Sequence, residues 1–540
     1  MKQPNFYRTG LFILILIVLV VGIFFRFANL DRKVYWHDEA LSSLRIAGYT
    51  SADRQAITDV LIDVDDLQNY HQPPPEAGVL DTINALAIDN PQHPPLYYVL
   101  ARLWLRWFDN PVVGARSAAA AISLLVFPCM YWLCVELFGS TLAGWLAVGL
   151  IAISPLQMLY AQEAREYSIW AVTILASSAV LLRAMRLKTI RSWVLYSSTL
   201  ALGFYAFPLS GLVAIGHGLY AILIERFRLS RTIVAYLLAS LAATVAFLPW
   251  LFVIVTKFSR IQETLSFQAN QKVMLLPLVK NLLRNLSFNF VDVQPGSVVD
   301  LQSTRDYLLT YVLALLISIL VAYALYFLWH HTAPKVWLFI LSLMLPITLF
   351  LVAPDLILGG QRSNIARYFM PCYLAIQLAV AYLLSCKIFS PALDVKRQRL
   401  WQGLTVTLFS LGIVSCTISA QSDTWWNKYS NYYVPEVAQI VNQAPRPLLI
   451  NDTPIGHILA LSYHLNPNVQ LKLVNMGKQA IEIPAGYSDI FWFNPYFRPP
   501  GLQALSEHNY NVKLVHKRGK LWQLEPVGAE SRGQKAEDRS

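Results

Sequence analysis

Charged residues are scarce in this chain. Asp, Glu, Lys and Arg make up only 14% of its 540 residues, while hydrophobic types reach 56%, and the mean hydropathy is +0.44. A water-soluble protein of this length needs far more polar surface. The composition therefore excludes an ordinary soluble enzyme and points to a chain that crosses a membrane repeatedly. Cysteine is scarce as well. Cys129, Cys134, Cys372, Cys386 and Cys416 all fall in apolar segments, with no CxxC pair and no histidine at metal-ligand spacing. A disulfide framework and a structural zinc site are thereby excluded. Neither GxxxxGK[ST] nor GxGxxG occurs, so there is no nucleotide-phosphate cradle. No repeat of fixed period is present either.

What is abundant is apolar sequence in runs long enough to span. At about twenty residues per crossing, about eleven helices are expected, near 10–29, 112–137, 141–159, 168–186, 192–208, 210–224, 232–256, 307–330, 335–353, 367–386 and 401–420. The first follows Lys2 and Arg8 and continues into FRFANL without a small-residue cleavage site. It reads as an uncleaved span with its N-terminus in the cytoplasm. The net charge of +11 does not indicate nucleic acid, because the basic residues cluster in short connections. These are RAMRLKTIR, ERFRLSR, HHTAPK and KIFSPALDVKRQR, the pattern of cytoplasmic loops. The long segments 30–111, 257–306 and 421–540 then face the other side.

Segment 30–111 is acidic in DVLIDVDDLQNY and Pro-rich at QPPPE and PQHPPL, and short surface helices are expected there. Segment 257–306 contains KVMLLPLVKNLLRNLSF, an amphipathic interfacial helix with Lys280 and Arg284. Residues 421–527 read as a small soluble α/β domain. PEVAQIVNQ, GHILALSYHL and GLQALSEHN suggest helices, PLLIND, VQLKLVN and DIFWFNP suggest strands, and a hairpin closes around RGK. Residues 528–540 are polar and expected to be disordered. The fold class expected is a polytopic α-helical membrane domain over 1–420 followed by that domain.

Ionisable residues gather at the outer ends of the spans. WHDEA follows the first, with His37, Asp38 and Glu39. HPPLYY begins at His93, Arg116 lies in GARSAAAA, YAQEAREYSIW carries Glu163, Arg165, Glu166 and Tyr167, and GGQRSNIARYFMP carries Arg367 and Tyr368. Each has a plain reading. Asp38 could cap a helix, Glu163 and Arg165 could form a surface pair, and Arg367 could anchor at the interface. His217, inside a span, reads as a satisfied interhelical donor, and Trp425 as part of an aromatic belt. Charges of both signs at one membrane face fit a shared polar cavity better. Carboxylates suit a general base and arginines suit a phosphate.

The ordered set HDEA, HPPLYY, QEAREY and RYFMP resembles the GT-C glycosyltransferases, nearest the protein O-mannosyltransferase and lipid A aminoarabinose transferase group, over roughly the first 420 residues. That resemblance implies an integral membrane enzyme of the inner (plasma) membrane with its C-terminal domain periplasmic. It implies inverting transfer of a sugar from a polyprenyl-phosphate donor to a lipid, glycan or protein acceptor on the non-cytoplasmic side. Asp38 matches the family's catalytic aspartate, with Glu39 as its partner. Glu163, Arg165 and Tyr167 match the second acidic motif, and Arg367 and Tyr368 the late Arg-Tyr, all near the donor phosphate. Arg116 and His93 join the donor-binding set. The O-mannosyltransferases carry a Lys after HPP where this chain has Tyr97 and Tyr98, which weakens both protein mannosylation and the role of His93. No cofactor is required, and a divalent metal is left open. A transporter or flippase of lipid-linked sugars, or a non-catalytic scaffold, remains a rival.

Overall fold

The computed structural model describes residues 5–269, 275–293, 304–474, 483–494 and 510–526. The helix expected at GLQALSEHN and the tail 528–540 lie outside these residues. Among the described residues, eight helices are long and apolar enough to cross a bilayer, beginning with Thr9–Phe27 and ending with Val395–Asn431. Thr141–Ala152 and Pro155–Ala161 pass the same test together, with a 62° bend between them, and make a ninth when counted as one broken span. The two other expected spans are helical but short, Ile190–Ala206 with 17 residues and Ser210–Ile224 with 15. They reach roughly 23–26 Å, less than the bilayer core. Pro208 explains their separation, since Phe207 before it is driven into the extended region, with φ −159° and ψ 133°.

The break at Ser154-Pro155 positions the functional loop. Pro155 cannot donate to the preceding turn, and the Ser154 side chain caps the new helix by accepting from the Gln157 N–H. The carbonyls freed by the bend are met by Arg26, whose Nη1 donates to Ala152 O at 2.7 Å and Nη2 to Ile151 O at 3.2 Å. This buried guanidinium also sits over the Phe127 ring at 4.6 Å. A cation inside a span thus finds the negative end of a broken helix. The bend carries the chain into residues 162–166 and then into helix Tyr167–Leu187.

His217 is held as expected, between the Ser178 hydroxyl at 3.0 Å and the Tyr196 hydroxyl at 3.1 Å. The indoles of Trp425 and Trp426 are engaged more specifically than a belt requires. Both donate to Asp292 Oδ2, at 2.9 and 2.7 Å.

Segment 30–111 forms short helices, including His37–Ala47, Ser51–Ala56, Val79–Asp89 and Leu96–Leu105. It also supplies a strand that was not expected, β1 (Leu61–Asp63). β1 joins β2 (Pro447–Asn451), β3 (Gln470–Leu473), β4 (Asp489–Phe493), β5 (Tyr510–His516) and β6 (Leu521–Pro526) in one sheet of order β1-β3-β2-β4-β6-β5. β2 lies parallel to β3 and β4, with Leu449 opposite Leu471 and Phe491. β1 pairs antiparallel with β3, Ile62 opposite Leu471. The C-terminal sheet is therefore completed by a strand from about 400 residues upstream in the chain, which ties segment 30–111 to β2–β6.

At the carboxyl end of β2, the buried Asp452 accepts from Asn494 Nδ2 at 2.8 Å. Burial pushes its carboxyl up from the ordinary 3.8 to about 6. The folded chain thus favours the neutral acid. Its stabilising contribution is complete below about pH 3.8 and is lost as the pH rises through about 6. Asp452→Asn is expected to melt like wild type at about pH 4 and above it at about pH 8. Parallel melting curves at both pH values would remove Asp452 from this account.

Candidate active site

Helix His37–Ala47 begins ten residues after the first span ends at Phe27. Trp36 is its N-cap in extended conformation, without a side-chain cap, and the His37 N–H donates to Asn431 Oδ1 at 2.9 Å. The expectation that Asp38 caps this helix is thus corrected: Asp38 lies inside the first turn, and its carboxylate turns outward. Asp38 Oδ2 pairs with Arg367 Nη2 at 3.1 Å, and both side chains remain partly open, at 21% and 13%. Arg367 comes from the short turn Ala366–Phe369 ahead of helix Met370–Ile388. Its guanidinium stands over the rings of Trp36, Tyr167 and Tyr368 at 5.6, 5.6 and 5.8 Å.

Arg165 is the second cation at this mouth. Its Nη1 donates to the Asp38 carbonyl at 3.2 Å and its Nη2 to the Tyr167 hydroxyl at 3.4 Å. Glu166, fully buried, holds it in place and also meets His93 Nδ1 at 2.8 Å and the Tyr98 hydroxyl at 3.1 Å. Tyr98, one of the tyrosines after HPP, thus fastens the His93 segment to the second acidic motif. Burial alone would raise the Asp38 carboxyl, but Arg367 and Arg165 hold it below the usual carboxylate range. Glu166 is likewise held well down, against burial, by Arg165 and His93. Arg165 itself stays charged because Glu166 offsets its burial.

A second, buried cluster lies behind the mouth. Glu39 accepts from Arg116 Nε and Nη2, both at 2.8 Å, from the Ala164 N–H at 3.0 Å and from Lys428 Nζ at 2.7 Å. Burial opposes its ionisation, but the two cations pull its carboxyl down to about 2. Arg116 donates its remaining N–H groups to the carbonyls of Leu30, Lys33 and Val34 at 2.6–3.0 Å. All five guanidinium donors are then engaged, which leaves none for a phosphate. Glu163 Oε2 accepts from Asn427 Nδ2 at 2.9 Å and lies 3.6 Å from Lys428 Nζ. Its Oε1 is buried without a hydrogen-bond partner among the described residues. Burial raises the Glu163 carboxyl, and the neighbouring Glu39 and Asp38 add to the shift.

The structure therefore divides the residues named from sequence. Asp38, Arg165, Arg367, Tyr167, Tyr368 and His93 gather at the mouth, while Glu39, Arg116 and Glu163 form the cluster behind it. Lys428 and Asn427, which complete that cluster, were not singled out. The only signal for them is a cation and an amide set among aromatics in WWNKYSNYY, directly after the last span.

The family described as dolichyl-phosphate-mannose-protein mannosyltransferase matches residues 92–252. Apo ArnT from Cupriavidus metallidurans superposes with a TM-score of 0.53 at 13% identity, covering 96% of this chain and 98% of that one. The same protein bound to undecaprenyl phosphate gives 0.50 at 13% identity, covering 96% and 99%. The apo oligosaccharyltransferase of Archaeoglobus fulgidus gives 0.51 at 12% identity, covering 88% and 66%. The fold is that of the GT-C glycosyltransferases. No curated protein matches the chain in sequence. Within this GT-C fold the family match starts one residue before His93 and takes in Glu163, Arg165 and Glu166. Asp38 and Arg367 lie outside it, so their place at the mouth rests on the tertiary contact between them. Among the described residues, no group of three or more His, Cys, Asp or Glu side chains is arranged to hold a metal ion.

Proposed function

We propose that this protein is an inverting glycosyltransferase that moves a sugar from a polyprenyl-phosphate carrier to an acceptor hydroxyl on the non-cytoplasmic side of the plasma membrane. The observation that carries this reading is the Asp38–Arg367 ion pair beside Arg165 at a partly open mouth. The orientation follows from the basic short loops. The donor class follows from two arginines at a membrane face in a fold whose undecaprenyl-phosphate complex is known for ArnT.

In this mechanism the donor phosphate enters between Arg165 and Arg367 and replaces Asp38 as the partner of Arg367. The freed carboxylate rises towards its ordinary pKa and takes the proton of the acceptor hydroxyl. The acceptor oxygen bonds to the anomeric carbon while the bond from that carbon to the phosphate oxygen breaks. The phosphate leaves with the electron pair, held by both arginines. Glu39 and Arg116 act as positioning residues that fix the helix bearing Asp38, and Glu163 supports them from the same buried cluster.

The test is purified protein in lipid nanodiscs with a panel of radiolabelled polyprenyl-phosphate sugars. One donor is expected to bind and to be hydrolysed or, with cell-envelope extract, to transfer its sugar. Binding without turnover under both conditions would instead favour a transporter of lipid-linked sugars. Arg367→Gln or Arg165→Gln is expected to weaken donor binding about tenfold or more, the worth of one charge-assisted hydrogen bond. Unchanged donor affinity in both variants would dissociate them from the phosphate.

A further inference from the structure

Outside the mouth, a cleft of about 130 Å³ opens between helix His37–Ala47, helix Ser51–Ala56, the loop after β2 and the helix Phe258–Ala269. Three arginines line it, Arg45, Arg54 and Arg260, together with Tyr49 and Tyr70. Two of the arginines share one acid: Asp89 lies 3.0 Å from Arg45 and 2.7 Å from Arg260. Asp89 also accepts from the Ser51 N–H and hydroxyl, so its oxygens are engaged. Arg54 donates to the Thr453 carbonyl at 3.3 Å. Among the described residues it forms no ion pair with a carboxylate, and its burial is offset by no acid. Asp53, the acid on the rim, turns back to the Thr50 N–H and hydroxyl at 2.7 and 2.8 Å. The cleft is thus left with more cation than its own acids neutralise.

The aromatic wall fits the same kind of ligand. Tyr49 and Tyr70 pack with ring centroids 4.7 Å apart, and such faces receive the C–H side of a saccharide. The cleft also lies at the carboxyl ends of the parallel strands, where Pro454 and Ile455 follow β2. Open α/β sheets place ligands there.

Asp38, Leu41 and Arg45 fall on one stripe of their helix, at i, i+3 and i+7. The cleft therefore continues the face that presents the proposed base, with Arg45 about 10 Å farther along the helix. We infer that this cleft is the acceptor subsite, and that it takes a saccharide bearing a phosphate or carboxylate on a unit next to the one that is glycosylated. The inference rests on the glycosyltransferase reading for the role of the subsite, but the binding itself does not depend on transfer.

The experiment measures binding of three disaccharides to the full-length protein in nanodiscs without donor: a phosphorylated one, a uronate-containing one and their neutral parent. The acidic ligands are expected to bind about tenfold tighter than the neutral one, and to lose that margin at about 1 M salt, where charges are screened. Arg54→Gln is expected to remove most of the preference and Arg54→Lys to restore part of it. The ratio between the phosphate and uronate arms identifies which acid the acceptor carries. Equal binding of neutral and acidic ligands, no binding of any, or a preference unchanged in Arg54→Gln would each overturn the inference. Donor hydrolysis without acceptor, measured in the same variants, reports on the enzyme reading alone. Acid-selective binding with neither hydrolysis nor transfer to cell-envelope extract would sink that reading and spare the cleft, while donor turnover without acid-selective binding would do the reverse.

Discussion

Asp38→Asn is expected to lower kcat/KM for sugar transfer by about 10²–10⁴-fold while donor affinity is kept, the range for losing a positioned general base. The substitution preserves the size of the side chain but removes the proton acceptor. It also frees Arg367 from its 3.1 Å ion pair. If the phosphate displaces Asp38 during binding, the donor no longer competes with an internal carboxylate, and its Kd falls or stays level. A structural role for Asp38 predicts the opposite, with weaker donor binding and a lower melting temperature. Transfer kinetics and equilibrium donor binding on the same preparation separate these outcomes. An Asp38→Asn protein that turns over at the wild-type rate would remove Asp38 from the mechanism.

Lys428→Met carries the second large expectation, on stability. Lys428 is buried between Glu39 and Glu163, at 2.7 and 3.6 Å, with only 3% of its side chain open. Its removal leaves Glu39 with one cation and Glu163 with the Asn427 amide alone. Breaking a buried ionic cluster by deleting one partner costs about 3–5 kcal/mol, because the remaining charge is left uncompensated. Thermal unfolding in nanodiscs should register that loss as a clear fall in melting temperature. Combining Lys428→Met with Glu163→Gln should recover part of it, since the second change removes one of the stranded acids. A Lys428→Met protein that melts with wild type would mean that the cluster is not holding the last span to the helix of Asp38.

Much of the membrane architecture was legible because a span is a local property. A run such as LFILILIVLVVGIFF declares itself whatever surrounds it. The charged motifs were legible for a related reason. Asp38, Arg165 and Arg367 stand at the ends of apolar runs, where ionisable groups are costly unless they meet. Other features left little trace. β1 is three residues long with only Ile62 turned inward, too short for a period-two signal, and it exists because β3 offers it an edge. Lys428 resembles any cation in an aromatic belt until the fold closes around Glu39. The arginines of the cleft come from three separate helices, and nothing in the order of the chain relates Arg54 to Arg260.

The neighbours Asp38 and Glu39 mark where sequence stops and structure takes over. The sequence by itself determined that two adjacent carboxylates follow the first apolar run, within an ordered set of motifs that resembles that of the GT-C glycosyltransferases. Only the tertiary structure decided which does what. Successive helical residues point about 100° apart, so the two carboxylates cannot share one direction. The inward position is the one that Arg116 and Lys428 neutralise, and Glu39 fills it. Asp38 is left at the open edge with Arg367. Those cations arrive from 77 and 389 residues away. Burying a charge requires partners that only the packed fold can bring to it.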